Sequence, residues 1–344
     1  MTIALITVPS AEHDFPGHPE RAARLPALLA AIESDPIWPS LICLEPRPAT
    51  VEELTRVHDP GYVAALKRVM DEAPGYIDPA LTYITPQSFE CARLAAGGAL
   101  RAVEAVLTGE ADAERAFALV RPPGHHAMPE QAMGFCLFNN IALAARHAQA
   151  LGKRKIMIVD FDVHHGNGTQ AAFYADPSVL FISSHQYGAM FYPGTGALGE
   201  IGEAAGQGCT INIPLPGGAG DTAFERLIYA VVLPAAERFQ PDFLLVSAGY
   251  DAHWQDPLAS LQVSAHGYAK IVHGLRGVAQ QHCQGKFVLV LEGGYDLAAL
   301  SASVVASLYA MSGATPPPDP LGPAPYQEPD VRNLLERVQA RHSL

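Results

Sequence analysis

Eight runs of apolar residues, spread along the whole chain and separated by helical patterns, restrict this sequence more than any other feature. The runs are predicted at Ile3–Val8, Leu41–Leu44, Ala116–Val120, Lys155–Phe161, Val179–Ser183, Thr210–Leu215, Phe243–Ala248 and Phe287–Leu291. Most lack the alternation of a half-exposed sheet, which is the pattern of strands covered on both faces. Helical periodicity occupies Gln87–Leu107, Phe138–Leu151, Asp221–Phe239, Ser264–Cys283 and Leu297–Met311, with Asp221 and Ser264 as expected N-caps. This alternation implies one α/β domain over residues 1–344, built on a parallel sheet of about eight strands flanked by helices. A proline- and glycine-rich strap at 312–329 and a short last helix near 331–341 complete the expectation.

Composition narrows the partners. The chain has 344 residues, 49% hydrophobic and 17% charged, which suits a filled globular core. A net charge of −13 without a basic run argues against nucleic acid. No stretch reaches the roughly eighteen uninterrupted apolar residues of a membrane helix, so no membrane partner is expected. The five cysteines, Cys43, Cys91, Cys136, Cys209 and Cys283, form no Cys-x-x-Cys pair, the usage of a reducing compartment. Met1–Val8 is short and lacks the basic start of a signal peptide, so a cytoplasmic location is expected. A homo-oligomer is compatible with this reading.

Chemistry is concentrated in four loops, each directly after an apolar run. Arg121-Pro-Pro-Gly-His-His126 follows the third run and Asp160–Asn167 ends the fourth. Ser247-Ala-Gly-Tyr-Asp-Ala-His253 closes the seventh, and Glu292-Gly-Gly-Tyr-Asp296 follows the eighth. Ligands of open parallel sheets bind outside the carboxyl ends of the strands. If the fourth strand stays extended, Asp160, Asp162 and His164 share one face. Two carboxylates at the end of an apolar strand carry a large desolvation cost unless a cation offsets it. Asp162, His164 and Asp251 are therefore the candidate metal ligands. Two carboxylates and an imidazole leave one open corner of a tetrahedral site, the pattern of a catalytic zinc; iron(II), cobalt or manganese also suit these donors.

His125 and His126 are the candidate acid–base pair, since imidazole transfers protons near neutrality. Asp160 and Asn167 are their expected orienting partners, and a neutral Asn raises its ring's pKa less than an Asp would. Tyr295, preceded by two glycines, is the candidate donor to an oxygen that gains charge. Phe135, beside Gly134, and Tyr192 are candidate walls of a narrow apolar slot.

Taken together, Arg121-Pro-Pro-Gly-His-His126, Gly134-Phe-Cys-Leu-Phe-Asn-Asn140, Asp160-Phe-Asp-Val-His-His-Gly-Asn-Gly-Thr169 and Glu292-Gly-Gly-Tyr295 resemble the zinc-dependent histone deacetylase family. Gly17-His-Pro-Glu-Arg21 and Tyr192-Pro-Gly-Thr-Gly196 add to the likeness, which runs from about residue 13 to about residue 300. Asn167 and Gly249-Tyr-Asp-Ala-His253 look like the class II branch, which includes bacterial histone deacetylase-like amidohydrolases. The resemblance implies the arginase–deacetylase fold, one Zn2+ per chain on Asp162, His164 and Asp251, a catalytic His125/His126 pair and a carbonyl-polarising Tyr295. It also implies a monovalent cation, K+, beside Asp160, Asp162, His164 and Ser183.

Related two-manganese ureohydrolases look like Asp-x-His-x-Asp and Asp-x-Asp-x-x-Asp-Pro; here Gly166 and His253 replace one carboxylate of each pattern, leaving a single metal. Many relatives carry a backbone-gripping Asp near the position of Leu81, in Asp78-Pro-Ala-Leu-Thr-Tyr83. The expected activity is hydrolysis of an acyl-lysine amide. An acetylpolyamine or other small acylated amine is the alternative substrate. A two-metal ureohydrolase and a non-catalytic acyl-lysine binder are the remaining readings.

Overall fold

The computed structural model describes residues 2–79, 82–188 and 190–344. All eight predicted runs are strands of one sheet: β1 Thr2–Thr7, β2 Leu41–Leu44, β3 Ala113–Leu119, β4 Ile156–Asp160, β5 Val179–Gln186, β6 Thr210–Leu215, β7 Phe243–Ala248 and β8 Phe287–Leu291. They pair in the order β2-β1-β3-β8-β7-β4-β5-β6, parallel throughout. Every residue of β4, β7 and β8 is buried, because helices flank the sheet and leave no solvated face. The four chemically loaded loops follow β3, β8, β7 and β4. These strands are contiguous at the centre of the sheet, so their carboxyl ends deliver loops distant in sequence to one place.

Helices Ser88–Thr108, Asn140–Ala150, Ala265–His282 and Leu297–Ser312 lie close to their expected bounds. Ser264 caps its helix by accepting the Gly267 N–H at 3.1 Å. Asp221 does not act as a cap. It stands in the first turn behind Gly220, and its carboxylate accepts the Ser264 N–H at 2.8 Å and the Ser264 hydroxyl at 2.6 Å. The N–H groups of Gly220, Thr222 and Ala223 are instead taken by Glu328, whose negative charge suits the positive end of that helix.

The expected helix Asp221–Phe239 is interrupted by a π turn at Ile228–Val232. Pro234 has no N–H to offer the Ala230 carbonyl. That carbonyl accepts Gln339 Nε2 at 2.9 Å, from the last helix, Arg332–His342. Four further helices, Arg24–Ser34, Val51–Leu54, Pro60–Val69 and Asn167–Phe173, fall outside the expected ranges. They are short, or carry proline, and show too few turns for a clear period.

Candidate active site

Past the end of β4, hydrogen bonds fold the acidic side chains back onto their own backbone. Asp162 N–H donates to Asp160 Oδ1 at 3.1 Å, and His164 N–H to Asp162 Oδ1 at 2.9 Å. Asp251, from the loop after β7, accepts the Val163 N–H at 3.0 Å through Oδ1. His164 Nδ1 then lies 3.2 Å from Asp162 Oδ1 and 3.3 Å from Asp251 Oδ2. One ligand atom from each of the three residues falls within 4.8 Å of the other two. Gly249 and Gly293 leave the necessary room: a Cβ at either would sit 2.0 Å from a carboxylate oxygen, of Asp162 and Asp251 respectively.

These donors fit a divalent cation. Both carboxylates are fully buried, and Asp251 Oδ2 has no well-aligned donor among the described residues. Burial and the charge of Asp162 push the Asp251 carboxyl upward. Burial opposes a charge on His164, yet bonds to Asp162 and Asp251 hold its pKa up at about 9. A cation on the same three atoms would take the place of a proton on His164 as the local counter-charge. A second grouping, Glu53, Glu104 and His147, has no such need, because Arg47 bridges both carboxylates at 2.7 and 2.6 Å.

The histidine pair is held from three sides. Glu292 Oε2 accepts the N–H groups of Gly124 at 2.6 Å and His125 at 3.1 Å. The His125 carbonyl accepts Gly168 N–H at 3.0 Å and Thr169 N–H at 3.2 Å, from the start of helix Asn167–Phe173. Gly168 allows this approach, since a Cβ there would lie 2.3 Å from the Ala127 carbonyl oxygen. His125 Nδ1 meets Asp160 Oδ2 at 3.0 Å, and His126 Nδ1 meets Asn167 Oδ1 at 2.7 Å.

The rings are electrostatically unlike. Burial lowers both pKa values. At His125 the charges of Asp162 and Asp160 and the bond to Asp160 outweigh burial and carry the pKa well above its ordinary value. At His126 the neighbouring His125 and His164 add to burial and keep it well below. The surroundings thus favour the charged form of His125 and the neutral form of His126.

Tyr295 reaches the site behind Gly293 and Gly294, the latter at φ +117°. Asp256 Oδ2 accepts the N–H of Tyr295 at 2.7 Å and of Asp296 at 3.3 Å. The Arg24 guanidinium sits 5.1 Å over the Tyr295 ring and donates to the carbonyls of Glu292 at 2.6 Å and Gly294 at 2.7 Å. Phe135 meets the Tyr295 ring edge-on at 5.9 Å, and Tyr192 meets His126 edge-on at 5.1 Å. With Pro79, Gly134, His164 and Leu258, these rings line a slot of about 290 Å³. Gly134, at φ +58°, packs where a Cβ would lie 2.4 Å from His126 Cδ2.

Every sequence-predicted site residue except Ser183 therefore lies in or directly behind the slot. Ser183 is the register partner of Asp160 on β5, and its hydroxyl pairs with His185 Nδ1 at 2.9 Å. Leu81 lies outside the described residues, while Asp78 Oδ1 accepts the Thr82 N–H at 2.6 Å. Sequence reasoning assigned no role to Glu20, Arg24, Arg121, Asp256 or Glu292. Arg121 binds the Glu20 carboxylate, and Arg24 adds a contact to it at 3.2 Å, all three fully buried. Glu20 thus joins the loop after β3 to the Arg24 that grips the loop after β8. For Glu20, Arg121 and Glu292 the available signal was a charged residue inside a quoted motif, since a buried charge needs a partner; Arg24 and Asp256 lie outside those motifs.

The description "Histone deacetylase domain" matches residues 18–311 of the chain. The chain belongs to the histone deacetylase family. It is 43% identical to "Histone deacetylase 14, chloroplastic" of Arabidopsis thaliana, covering 96% of this chain and 82% of that protein. It is also 43% identical to the "Histone deacetylase-like amidohydrolase" of Pseudomonas aeruginosa, covering 77% of this chain and 69% of the relative. The crystal structure of the HDA15 HD domain superposes with a TM-score of 0.89 at 38% identity, covering 99% of this chain and 94% of that one. The eight-stranded parallel sheet flanked by helices is thus the arginase–deacetylase fold, and membership of the family makes the protein a hydrolase.

Proposed function

We propose that this histone deacetylase family member is a zinc-dependent deacylase that releases acetyl, or another short acyl group, from lysine side chains. The observation that carries the reading is the buried Asp162/His164/Asp251 set, with no well-aligned donor to Asp251 Oδ2 among the described residues, at a slot also lined by His126 and Tyr295. Zinc held by these residues would supply Lewis-acid polarisation of the acyl carbonyl and would lower the pKa of the attacking water. A potassium ion near Asp160, Asp162, His164 and Ser183 belongs to the same proposal.

The protein's own groups divide the remaining work. The narrow apolar walls, Phe135 and Tyr192, admit an extended alkyl chain and exclude bulk water. Neutral His126 takes the proton of the attacking water at Nε2, because its Nδ1 is engaged by Asn167. It then returns that proton to the leaving amine, as general acid. Charged His125, paired with Asp160, keeps positive potential beside the developing negative charge. The Tyr295 phenol donates to the oxygen that gains charge.

The test is kcat/KM for an acetyl-lysine peptide against acetylputrescine and acetylspermidine on one zinc-loaded preparation. Preference for the peptide is the expected outcome. Preference for the polyamines by more than about tenfold, roughly 1.4 kcal/mol at the transition state, replaces lysine with a polyamine as substrate.

A further inference from the structure

Behind His126 the structure holds an arrangement that the catalytic reading leaves unused. Asn167 Nδ2 donates to two thioethers, Met128 Sδ and Met133 Sδ, each at 3.3 Å, while its Oδ1 faces His126 Nδ1 at 2.7 Å. Both methionines belong to one tightly turned segment. Met128 N–H donates to the Gln131 carbonyl at 2.8 Å, and Met133 exchanges two backbone bonds with Cys136 at 3.2 and 3.0 Å. Asn167 itself is buried at the first turn of its helix.

A side-chain amide can turn over and exchange its oxygen for its nitrogen with little change in shape. Here the two ends meet different chemistry, because a thioether accepts and never donates. Turned over, the amide would set its oxygen against two sulfurs, with no hydrogen between them, and would present an N–H donor to His126 Nδ1. A neutral His126 would then carry its proton on Nε2, the nitrogen that needs a free lone pair to act as a base.

We infer that Met128 and Met133 are positioning residues that fix the Asn167 amide and, through it, hold His126 in the Nδ1–H form. The inference rests on the proposed deacylase reading for its catalytic consequence; the tautomer itself is independent of that reading. Leucine keeps most of the volume of methionine and removes the acceptor, so Met128→Leu/Met133→Leu is a conservative test.

The experiment uses zinc-loaded protein labelled with 15N-histidine, with the His126 signals assigned by their loss in His126→Gln. The parent is expected to show a protonated Nδ1 and an unprotonated Nε2. In the double leucine variant both signals move toward values averaged between the two tautomers. kcat falls roughly tenfold with KM within twofold, the scale of lost orienting contacts. In an Asn167→Ala background the same two substitutions cause no further loss, as required if they act through the amide. A parent His126 protonated on Nε2 overturns the inference. So do unchanged 15N shifts in the double variant, or an equal kcat loss in both backgrounds. A parent that hydrolyses no acylated amine sinks the deacylase reading instead, and the 15N spectra still decide the tautomer.

Discussion

The Asp256 carboxylate accepts the backbone N–H of Tyr295 at 2.7 Å, so the loop that supplies Asp251 also places the phenol at the slot. The other carboxylate oxygen of Asp256 holds the N–H of Leu258, which lines the same slot, at 3.0 Å. Asp256→Asn exchanges one of these acceptor oxygens for a donor and loosens the phenol without removing it. The expected loss in kcat is about 10–100-fold, against about 10²–10³-fold for Tyr295→Phe. Because both act through the same phenol, the double variant should be little worse than Tyr295→Phe alone. Saturating turnover of an acetyl-lysine peptide by the four proteins checks this, and fully multiplicative losses would place the action of Asp256 elsewhere.

Metal content provides a second check, independent of turnover. The proposed reading predicts one ion, because Gly166 and His253 stand where a second carboxylate of each ureohydrolase pattern would be. Elemental analysis should return one zinc per chain in the parent. Asp162→Asn and Asp251→Asn should lose it, since each trades a charged ligand for a neutral amide. Chelation should also lower Tm, because a ligand bound only to the native state stabilises it. Two manganese ions per chain, with activity on a guanidinium substrate, would replace the proposed deacylase activity with a ureohydrolase one.

The strands were legible in the sequence for the same reason the sheet is stable: a strand covered on both faces must be apolar along its whole length. Asp162 and His164 were legible because charged residues at the end of such a strand demand compensation. The order of strands was not, since nothing in Phe243–Ala248 or Phe287–Leu291 says which neighbour each takes. Nor was the Glu20–Arg121 contact. Periodicity reports which face of an element is buried and carries no information about partners a hundred residues away. The π turn shows the same limit: Pro234 signals a broken ladder, but not that Gln339 fills the gap at Ala230.

Glu20 ties acid stability to the site's framework. Burial favours the neutral acid, but the charge and hydrogen bond of Arg121 and the charge of Arg24 prevail and hold its pKa down at about 2, against 4.5 as the ordinary value. A carboxylate with a depressed folded-state pKa contributes stability that is fully present above about pH 4.5 and disappears as pH falls toward 2. That contribution is roughly 3 kcal/mol. Glu20→Gln leaves Arg121 and Arg24 without their shared counter-charge, and should cost about 3–5 kcal/mol near pH 7. The deficit relative to the parent should shrink as pH falls below about 4.5. Urea unfolding at stepped pH measures it; a deficit constant across this range would show that Glu20 acts through packing, not charge.

In the proposed mechanism the group facing His126 Nδ1 tunes the general base, and a single substitution at Asn167 tests the sign. Burial, followed by the charges of His125 and His164, keeps the His126 pKa well below its ordinary value, and the neutral amide does little to reverse this. This favours an unprotonated His126, able to accept a proton, at neutral pH. Asn167→Asp puts a carboxylate on Nδ1, which favours the charged imidazolium and raises the His126 pKa, by about 1–3 units for a close opposite charge. More of the base is then already protonated at a given pH. The acid limb of kcat/KM should move to higher pH, with the loss greatest on the acid side and recovered as pH rises. The pH profile of kcat/KM for the two proteins decides it. An acid limb that stays in place, or moves to lower pH, would mean that the limb belongs to another group and that His126 is not the base.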